Sequence, residues 1–416
     1  MATIRPFAAL RPKPELASRI CELPYDVMSS EEARQIAAGN ALSFLHVSKP
    51  EIDLPPAVDA YAPEVYAKGA ENFRRLIAQG VLRQDPQPCF YLYRQVMGRH
   101  SQVGLVAAAS CEEYLRGTIK KHELTRPDKE DDRVRHIEAL GSQTGPAFLV
   151  YPTSGTLDAI VAERAAQPPT VDFTADDGVR HSAWVVSESP AVRALATAFA
   201  SVPSLYIADG HHRSAAAARV FQKRSKGAAE GQNESAYFLS VIFPHNQVQV
   251  LPYNRVLKDL NGYSTQALLQ KLETIFIFQP PSGAAAATAP GSPACKHELA
   301  LYVAGRWHNL RFRPALVAAA DALARLGVTL LQRHVLQPIF GITDPRTSDR
   351  INFVGGIRGA AELEKLVNSG AYACAFSMFP TGIEDLMAIA DAGQIMPPKS
   401  TWFEPKLRDA MFCHMI

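Results

Sequence analysis

A short apolar run that ends at a glycine, followed at once by a helical pattern, constrains the fold of this chain most strongly. The run begins near Val202 and stops at Asp209-Gly210, and an alanine-rich segment follows it. Its length and apolar character predict a buried strand, and Ser214–Gln222 predicts a helix. A strand that leads directly into a helix favours an α/β fold, and hairpin patterns elsewhere in the chain indicate that its sheets are mixed.

The turn between this strand and helix concentrates groups that suit an anion. It carries a carboxylate, a glycine, two imidazoles and a guanidinium, in the order Asp209, Gly210, His211, His212, Arg213. Backbone N–H groups at a helix start attract anions, and glycine lets a ligand approach the backbone closely. Arg213 adds a forked, permanent charge of the type that phosphates favour, and Asp209 could hold the turn or a metal ion. The alternative is a capped turn whose histidines only satisfy backbone carbonyls.

A second charged stretch lies between segments predicted to be buried strands. Lys120–His136 holds six cationic side chains, five carboxylates and two histidines. A loop held in this way can present cations to phosphates while a carboxylate or an imidazole takes a proton from a hydroxyl. The candidates are Lys121, Arg126 and Arg133 for the phosphates, and Glu123 or His122 for the proton. The alternative is a solvated charged loop and helix start.

The composition argues against several classes of function. A formal net charge of +2 gives no overall attraction to nucleic acid, which argues against a nucleic-acid partner. The sequence has neither an apolar run of membrane-spanning length nor the layout of a secretion signal, so we expect no membrane partner and a cytoplasmic location. The six cysteines lack the paired spacing of a zinc site or a disulfide framework. None of these features predicts an oligomeric state.

Other patterns outline the rest of the fold. With 416 residues, the chain would normally divide into two or three domains or lobes. The predicted elements are an amphipathic helix over Pro63–Leu82, a hairpin of buried strands over Cys89–Val96 and Val103–Ala109, and a strand over Leu42–Val47. The low-complexity stretch 280–293 predicts an exposed loop between lobes at 1–279, which holds both charged stretches, and at 294–416.

Two segments far from these stretches are also candidates for the site. Pro24-Tyr25-Asp26 is either a turn or a substrate-facing loop. Lys399, Ser400 and Thr401 suit an anion, and we expect this tail to fold back on the active site. A tail that is only docked by its neighbouring aromatic residues explains the same pattern equally well.

Five pieces of the sequence, in this order, resemble one protein family. They are Ile4-Arg5-Pro6-Phe7, Pro24-Tyr25-Asp26-Val27, Lys121-His122-Glu123 with Asp132-Arg133, Ala208–Arg213 and Met396–Thr401. Over essentially its full length, as a single unit of residues 1–416, the chain resembles the bacterial and archaeal proteins of the domain of unknown function 1015 family. The family name supplies no activity.

The turn Asp209–Arg213 alone is similar to the signature turn of the ParB/sulfiredoxin-like superfamily. Members of that superfamily bind nucleotides at this turn, and some phosphorylate free serine. The resemblance implies that residues 210–213 hold nucleotide phosphates and that Asp209 shapes the turn or helps to bind a metal ion. His211 stands where sulfiredoxins have their cysteine, which argues against sulfinic-acid repair.

The sequence and these resemblances together predict an α/β protein with mixed sheets, in which a ParB/sulfiredoxin-like nucleotide-binding core is elaborated into two lobes. The expected activity is phosphotransfer from ATP or ADP, with Mg²⁺, to a small hydroxyl compound such as free serine. Phosphoryl transfer needs positioning and charge neutralisation more than covalent chemistry, and the two charged stretches supply both. Two alternatives remain: hydrolysis of a nucleotide or phosphoester, and a non-enzymatic, nucleotide-gated regulator of the ParB type.

Overall fold

The computed structural model describes residues 2–225, 233–280, 290–318 and 321–416. In chain order the strands are β1 Ile4–Arg5, β2 Leu10–Pro12, β3 Leu82–Gln84, β4 Phe90–Met97, β5 His100–Ser110, β6 Ile119–Lys120, β7 Ser142–Gln143, β8 Ala147–Tyr151, β9 Val171–Thr174, β10 Arg180–Val186, β11 Leu205–Asp209, β12 Tyr237–Pro244, β13 Gln249–Leu251, β14 Tyr253–Leu257, β15 Phe276–Gln279, β16 Glu298–Val303, β17 Arg306–Phe312, β18 Ile351–Gly355, β19 Cys374–Met378, β20 Trp402–Glu404 and β21 His414–Met415.

The helices alternate with these strands along the chain. They are α1 Ala17–Ile20, α2 Ser30–Ala37, α3 Leu45–Ser48, α4 Pro63–Ala78, α5 Cys111–Arg116, α6 Pro127–Leu140, α7 Gly155–Ala165, α8 Ser189–Phe199, α9 His211–Arg224, α10 Thr265–Glu273, α11 Pro314–Val317, α12 Gly327–Leu331, α13 Gly359–Asn368 and α14 Ile383–Asp391. None of the helices in the described ranges combines the length and the apolar character that crossing a membrane requires.

The chain forms two compact units, and the first unit is discontinuous in sequence. The first unit comprises residues 1–248 and 405–416, and the second comprises residues 249–404. The boundaries of these units differ from those of the lobes that the sequence predicted, at 1–279 and 294–416. Residues 281–289 of the low-complexity stretch lie outside the described residues.

The first unit is built on a nine-stranded mixed sheet. Its strand order is β6-β11-β8-β12-β5-β4-β10-β9, with β1 paired to β5. β6 with β11 and β8 with β12 are parallel pairs, and the other pairs of this sheet are antiparallel. Its central strands are apolar along most of their length because both faces are covered, and they form the main core of the unit. The predicted α/β fold with mixed sheets is confirmed.

The second unit contains a separate, wholly antiparallel sheet. Its six strands follow the order β15-β17-β16-β19-β14-β18. A short pair, β13 with β20, lies outside this sheet. Helix α13 covers β16 and β19 and buries Leu363 against them.

Local patterns predicted several elements of the first unit correctly. The predicted amphipathic helix is α4, and the predicted hairpin is formed by β4 and β5. The predicted strand over Leu42–Val47 is wrong, since Leu45–Ser48 forms the short helix α3. A short apolar run can be a strand or a buried helical turn, and here the turn at Asn40–Ser43 starts a helical path.

Gly104 is expected to be irreplaceable in the large sheet because a side chain there has no room. A Cβ atom at this position would lie 2.6 Å from Cγ1 of Val241 and 2.8 Å from the ring of Phe243. Gly104→Ala should therefore destabilise the chain by about 1–3 kcal/mol, the usual cost of overpacking, and lower the melting temperature in a thermal unfolding experiment. Gly155→Ala is the matched control, because its Cβ would meet no atom within 4 Å. Equal melting temperatures for the two variants would contradict this account.

Candidate functional site

The two charged stretches lie side by side because the strands that precede them are parallel neighbours. β6 pairs with β11 through Ile119 opposite Leu205 and Lys120 opposite Tyr206. Parallel strands run in the same direction, so the residues that follow both strands leave the sheet at the same edge. The sequence predicted both stretches, and the structure places them together.

The turn after β11 has the geometry of an anion-binding helix start. β11 ends at Asp209, Gly210 caps the helix, and α9 begins at His211. Gly210 has φ of +88°, and a Cβ there would lie 3.2 Å from the Cα of Ala147, so glycine is required on both counts. The backbone N–H groups of residues 211–213 precede the first helical hydrogen bond, which Ser214 donates to Gly210. These donors and the helix dipole favour negative charge at this point.

Asp209 is an ionised carboxylate that holds the turn. One oxygen accepts a 2.7 Å hydrogen bond from the Gly210 N–H, and the other accepts a 2.8 Å bond from Nζ of Lys406. Burial opposes the charged form of Asp209. The charges of Lys406 and Arg213 outweigh burial, however, and hold the pKa of this carboxyl well below its usual range. Lys406 thus joins the last residues of the chain to the signature turn.

A pocket beside this turn is lined by two arginines, of which Arg133 is buried and Arg213 has a side chain that is 12% exposed. Its cavity volume is about 30 Å³, and it is partly open to solvent. Arg133 pairs with Asp132 at 2.7 Å and stacks over the ring of Tyr25 at 3.7 Å. Arg213 donates to the carbonyl of Pro146. Two permanent positive charges at one pocket favour an anionic ligand.

Carboxylates around the pocket keep both arginines charged. Burial opposes the charge of Arg213, but Asp26, Asp209 and Asp409 outweigh it and raise the pKa of Arg213. Tyr25 lines the pocket directly. Pro24–Val27 forms a turn, closed by a 3.2 Å hydrogen bond from the Val27 N–H to the Pro24 carbonyl, and whether this turn faces a substrate stays a prediction.

Asp409 is a pocket residue that the sequence analysis missed. It is buried, and its Oδ1 atom has no hydrogen-bond partner among the described residues. Burial raises the pKa of Asp409 to about 7, and Arg213 and Arg133 limit this increase. A carboxyl that titrates near neutral pH is suited to accept or donate a proton. The only indication in the sequence is a charged pair, Arg408-Asp409, inside the apolar run that ends the chain.

His122 and His211 meet at the edge of the sheet in buried positions. Their rings pack edge to face with centroids 4.5 Å apart. Burial lowers the pKa of His122 to about 4, and the backbone of Ile207 and the charge of Asp209 offset this only in part. Burial, and then the neighbouring His122, lower the pKa of His211 well below its usual range. Both rings are therefore neutral at pH 7, and one ligand atom from each lies within 4.8 Å of a carboxylate oxygen of the half-buried Glu123.

Three other predicted residues lie close to this edge but do not line the pocket of Arg133 and Arg213 in the described part of the chain. His212 accepts a 3.1 Å hydrogen bond at Nε2 from the backbone N–H of Arg126, at the start of α6. The side chain of Arg126 is exposed and pairs with Asp128 at 2.8 Å. Lys121 is exposed, and its amine lies over the ring of Tyr114 at 4.3 Å.

Lys399, Ser400 and Thr401 belong to the second unit, where they contact their own neighbours. The hydroxyl of Ser400 donates to the carbonyl of Pro397 at 2.6 Å, and the carbonyl of Lys399 accepts from Arg255 at 3.1 Å. Their proposed role as phosphate ligands stays a prediction. The part of the tail that contacts the signature turn is Lys406, in the segment that rejoins the first unit.

The fold and the site define a mixed α/β protein in which the turn at Asp209–Arg213 lies beside a pocket lined by two arginines. A comparison with family models then supplies the family. The chain belongs to the family described as "Protein of unknown function (DUF1015)", whose model matches residues 4–329. The family resemblance inferred from the sequence is thereby confirmed. No curated protein matches the chain at a significant level.

Several solved structures are similar to this chain at low identity. A free serine kinase in complex with AMP is 14% identical, with coverage of 72% of this chain and 86% of its own and a TM-score of 0.34. A conserved hypothetical protein from Pyrococcus furiosus is 15% identical, with coverage of 74% and 93% and a TM-score of 0.33. SbnI from Staphylococcus aureus, truncated at its C-terminus, is 9% identical, with coverage of 73% and 85% and a TM-score of 0.37. With identities and TM-scores this low, the likeness carries no conclusion about ligand or activity.

Asp409→Asn is expected to change how stability depends on pH. The folded chain holds the Asp409 proton more tightly than the unfolded chain, because its pKa is raised from 3.8 to about 7. The contribution of this carboxyl to stability is therefore complete below about pH 4 and is lost as the pH rises through 7. In urea unfolding between pH 4.5 and 7.5, the wild type should lose on the order of 1–4 kcal/mol relative to the variant. Asp59→Asn, at an exposed position, serves as the control, and an identical pH dependence in wild type and Asp409→Asn would contradict the assignment.

Proposed function

We propose that this chain transfers a phosphoryl group from a nucleotide, ATP or ADP with Mg²⁺, to a small hydroxyl compound. One observation carries the proposal: a single pocket is lined by the buried Arg133, by Arg213, whose side chain is 12% exposed, and by the buried carboxyl of Asp409. Cations that bind phosphate and a proton acceptor near neutral pKa are the parts that phosphoryl transfer requires. Free serine is the first acceptor to test, because some members of the superfamily that the turn resembles phosphorylate it.

In this proposal the start of α9 binds the phosphates of the nucleotide. The N–H groups of residues 211–213 and the guanidinium of Arg213 bind the phosphates, and Gly210 lets them approach the backbone. Arg133 neutralises the charge that develops on the transferred group. Asp132 and the ring of Tyr25 fix the guanidinium of Arg133 in place, so its charge is positioned before the ligand binds.

The proposed step forms one bond and breaks one. The acceptor hydroxyl oxygen attacks the terminal phosphorus of the nucleotide while its proton passes to a carboxylate of the protein. The bond from that phosphorus to the bridging oxygen breaks, and the bridging oxygen keeps the electron pair, which leaves ADP from ATP or AMP from ADP. The products are the phosphorylated hydroxyl compound and the shortened nucleotide.

The sequence pointed to Glu123 or His122 as the base, and we now favour Asp409. Asp409 lines the same pocket as both arginines, whereas Glu123 is grouped with His122 and His211 at the neighbouring sheet edge. The raised pKa of Asp409, about 7, also matches the working range of a general base better than an ordinary carboxyl does. Glu123 remains the alternative base, and the two assignments differ in what their amide variants should do.

Arg213→Ala should weaken nucleotide binding by on the order of 1.5–3 kcal/mol, or roughly 10- to 150-fold in Kd. The reason is the loss of a charge-assisted contact to phosphate in this pocket. Isothermal calorimetry with ADP and ATP would measure the change. Arg219→Ala is the matched control, because it removes the same charge from the exposed face of the same helix, where Arg219 pairs with Glu130 and Asp131. Equal nucleotide affinities for folded Arg213→Ala and wild type would exclude this turn as the phosphate site.

Asp409→Asn should lower phosphoryl transfer by roughly a hundredfold or more while nucleotide affinity persists, because an amide cannot accept the proton. Glu123→Gln is the comparison, and it should retain much more of the transfer rate if Asp409 is the base. The assay incubates each protein with terminally labelled nucleotide and pooled amino acids. If Glu123→Gln lowers the transfer rate more than Asp409→Asn does, Glu123 is the base. For the wild type, labelled free phosphate alone would indicate a hydrolase, and no turnover with intact binding would indicate a nucleotide-gated regulator.

A further inference from the structure

Three potential metal ligands converge where the segment after β6 meets the first turn of α9. His122 and Glu123 follow β6, and His211 opens α9. One ligand atom from each of the three side chains lies within 4.8 Å of the other two. The parallel pairing of β6 with β11 fixes this meeting, since it brings the ends of both strands to one edge.

The histidine nitrogens at this point lack the partners that buried polar groups normally have. His122 is 2% exposed and His211 is 6% exposed. In the described ranges, Nε2 of His211 has no hydrogen-bond partner, and the ring nitrogens of His122 have none of good geometry, their one polar neighbour being the backbone of Ile207. Folded proteins pair most of their buried polar atoms, because an unpaired one is costly. Several unpaired nitrogens on two touching rings therefore indicate that a ligand belongs between them.

We propose that His122, Glu123 and His211 bind one divalent transition-metal ion. Two imidazole nitrogens and a carboxylate oxygen form a ligand set that suits zinc(II) and its neighbours cobalt(II), nickel(II) and iron(II). Magnesium prefers six oxygen ligands, so this site is distinct from the Mg²⁺ that accompanies a nucleotide. The proposal does not depend on the proposed function.

The dimensions of the cluster fit such an ion after a small adjustment. Bonds of about 2.1 Å in a tetrahedral arrangement place the ligand atoms about 3.4 Å apart, so the side chains must close by an ångström or so. The Glu123 side chain and the two rings would have to rotate to provide this movement. Three protein ligands leave at least one position for water or for an oxygen of a bound ligand. The cysteine spacing argued against a zinc site built on cysteines. The site proposed here uses two histidines and a glutamate.

The test is a cobalt(II) titration of the full-length protein after EDTA treatment and removal of the chelator. Cobalt(II) bound to two nitrogens and an oxygen in four- or five-coordination absorbs visible light, and the band reports the coordination directly. Wild type should bind one equivalent, and zinc(II) should displace the cobalt and abolish the band. His211→Ala and His122→Ala should each weaken cobalt binding by roughly a hundredfold or more. His308→Ala, on β17 in the second unit, is the control and should bind as the wild type does.

A conservative variant covers the case in which a histidine variant fails to fold. Glu123→Gln alters a half-buried side chain and keeps its shape, and it should still weaken cobalt binding at least tenfold and shift the absorption band. The proposal is overturned if folded wild type shows no saturable cobalt binding, if all cluster variants bind as wild type does, or if an equal concentration of Mg²⁺ displaces the cobalt.

A second measurement separates this proposal from the proposed function. Arg213→Ala should bind cobalt with the affinity of the wild type, whatever its affinity for nucleotide. Wild type that binds cobalt but no nucleotide would support the metal site and remove the phosphotransferase. Wild type that binds nucleotide but no cobalt would remove the metal site and leave the phosphotransferase to be decided by the transfer assay.

Discussion

The parallel pairing of β6 with β11 is the contact on which the candidate site depends. Only two residue pairs define its register, yet it brings together two charged stretches that lie far apart in sequence. His122 meets His211, and the N–H of Arg126 reaches His212, 86 residues further along the chain. The two helices that follow are then joined through Arg219 of α9, which pairs with two carboxylates of α6. Short strands suffice here because helix packing reinforces them.

The pocket next to this edge contains charges that stability alone does not explain. Taking an arginine out of water is expensive, and a buried ion pair often contributes little net stability. Arg133 and Arg213 are nevertheless both held in the pocket wall, and Asp409 keeps an unpaired oxygen there among the described residues. Such an arrangement is typical of a site that is positioned in advance for a charged ligand. The surrounding carboxylates and aromatic rings then offset the free-energy cost of desolvating the arginines, so no rearrangement is needed when the ligand arrives.

The sequence predicted features that depend on local patterns. It missed features that depend on contacts between residues far apart in the chain. The strand, the glycine turn and the helix at Leu205–Arg224 follow from apolar length, from glycine and from alanine content, and the structure has them where they were expected. The charge of a side chain did not predict which residues it contacts. Lys121 packs over Tyr114, and Arg126 pairs with a neighbour two residues away. Asp409 was missed because the charged pair Arg408-Asp409 is its one indication in the sequence, and that pair does not indicate that Asp409 shares a pocket with Arg213.

The discontinuity of the first unit has a consequence for how the protein is made. A ribosome adds residues in order, so it completes the whole second unit before it adds residues 405–416. Until then the nascent first unit lacks Lys406, the counter-ion of Asp209, and it lacks Asp409 in the pocket wall. At that stage Asp209 has Arg213 beside it but not yet Lys406. A nascent protein stalled within residues 249–404 would therefore lack two residues of the candidate site, Lys406 and Asp409.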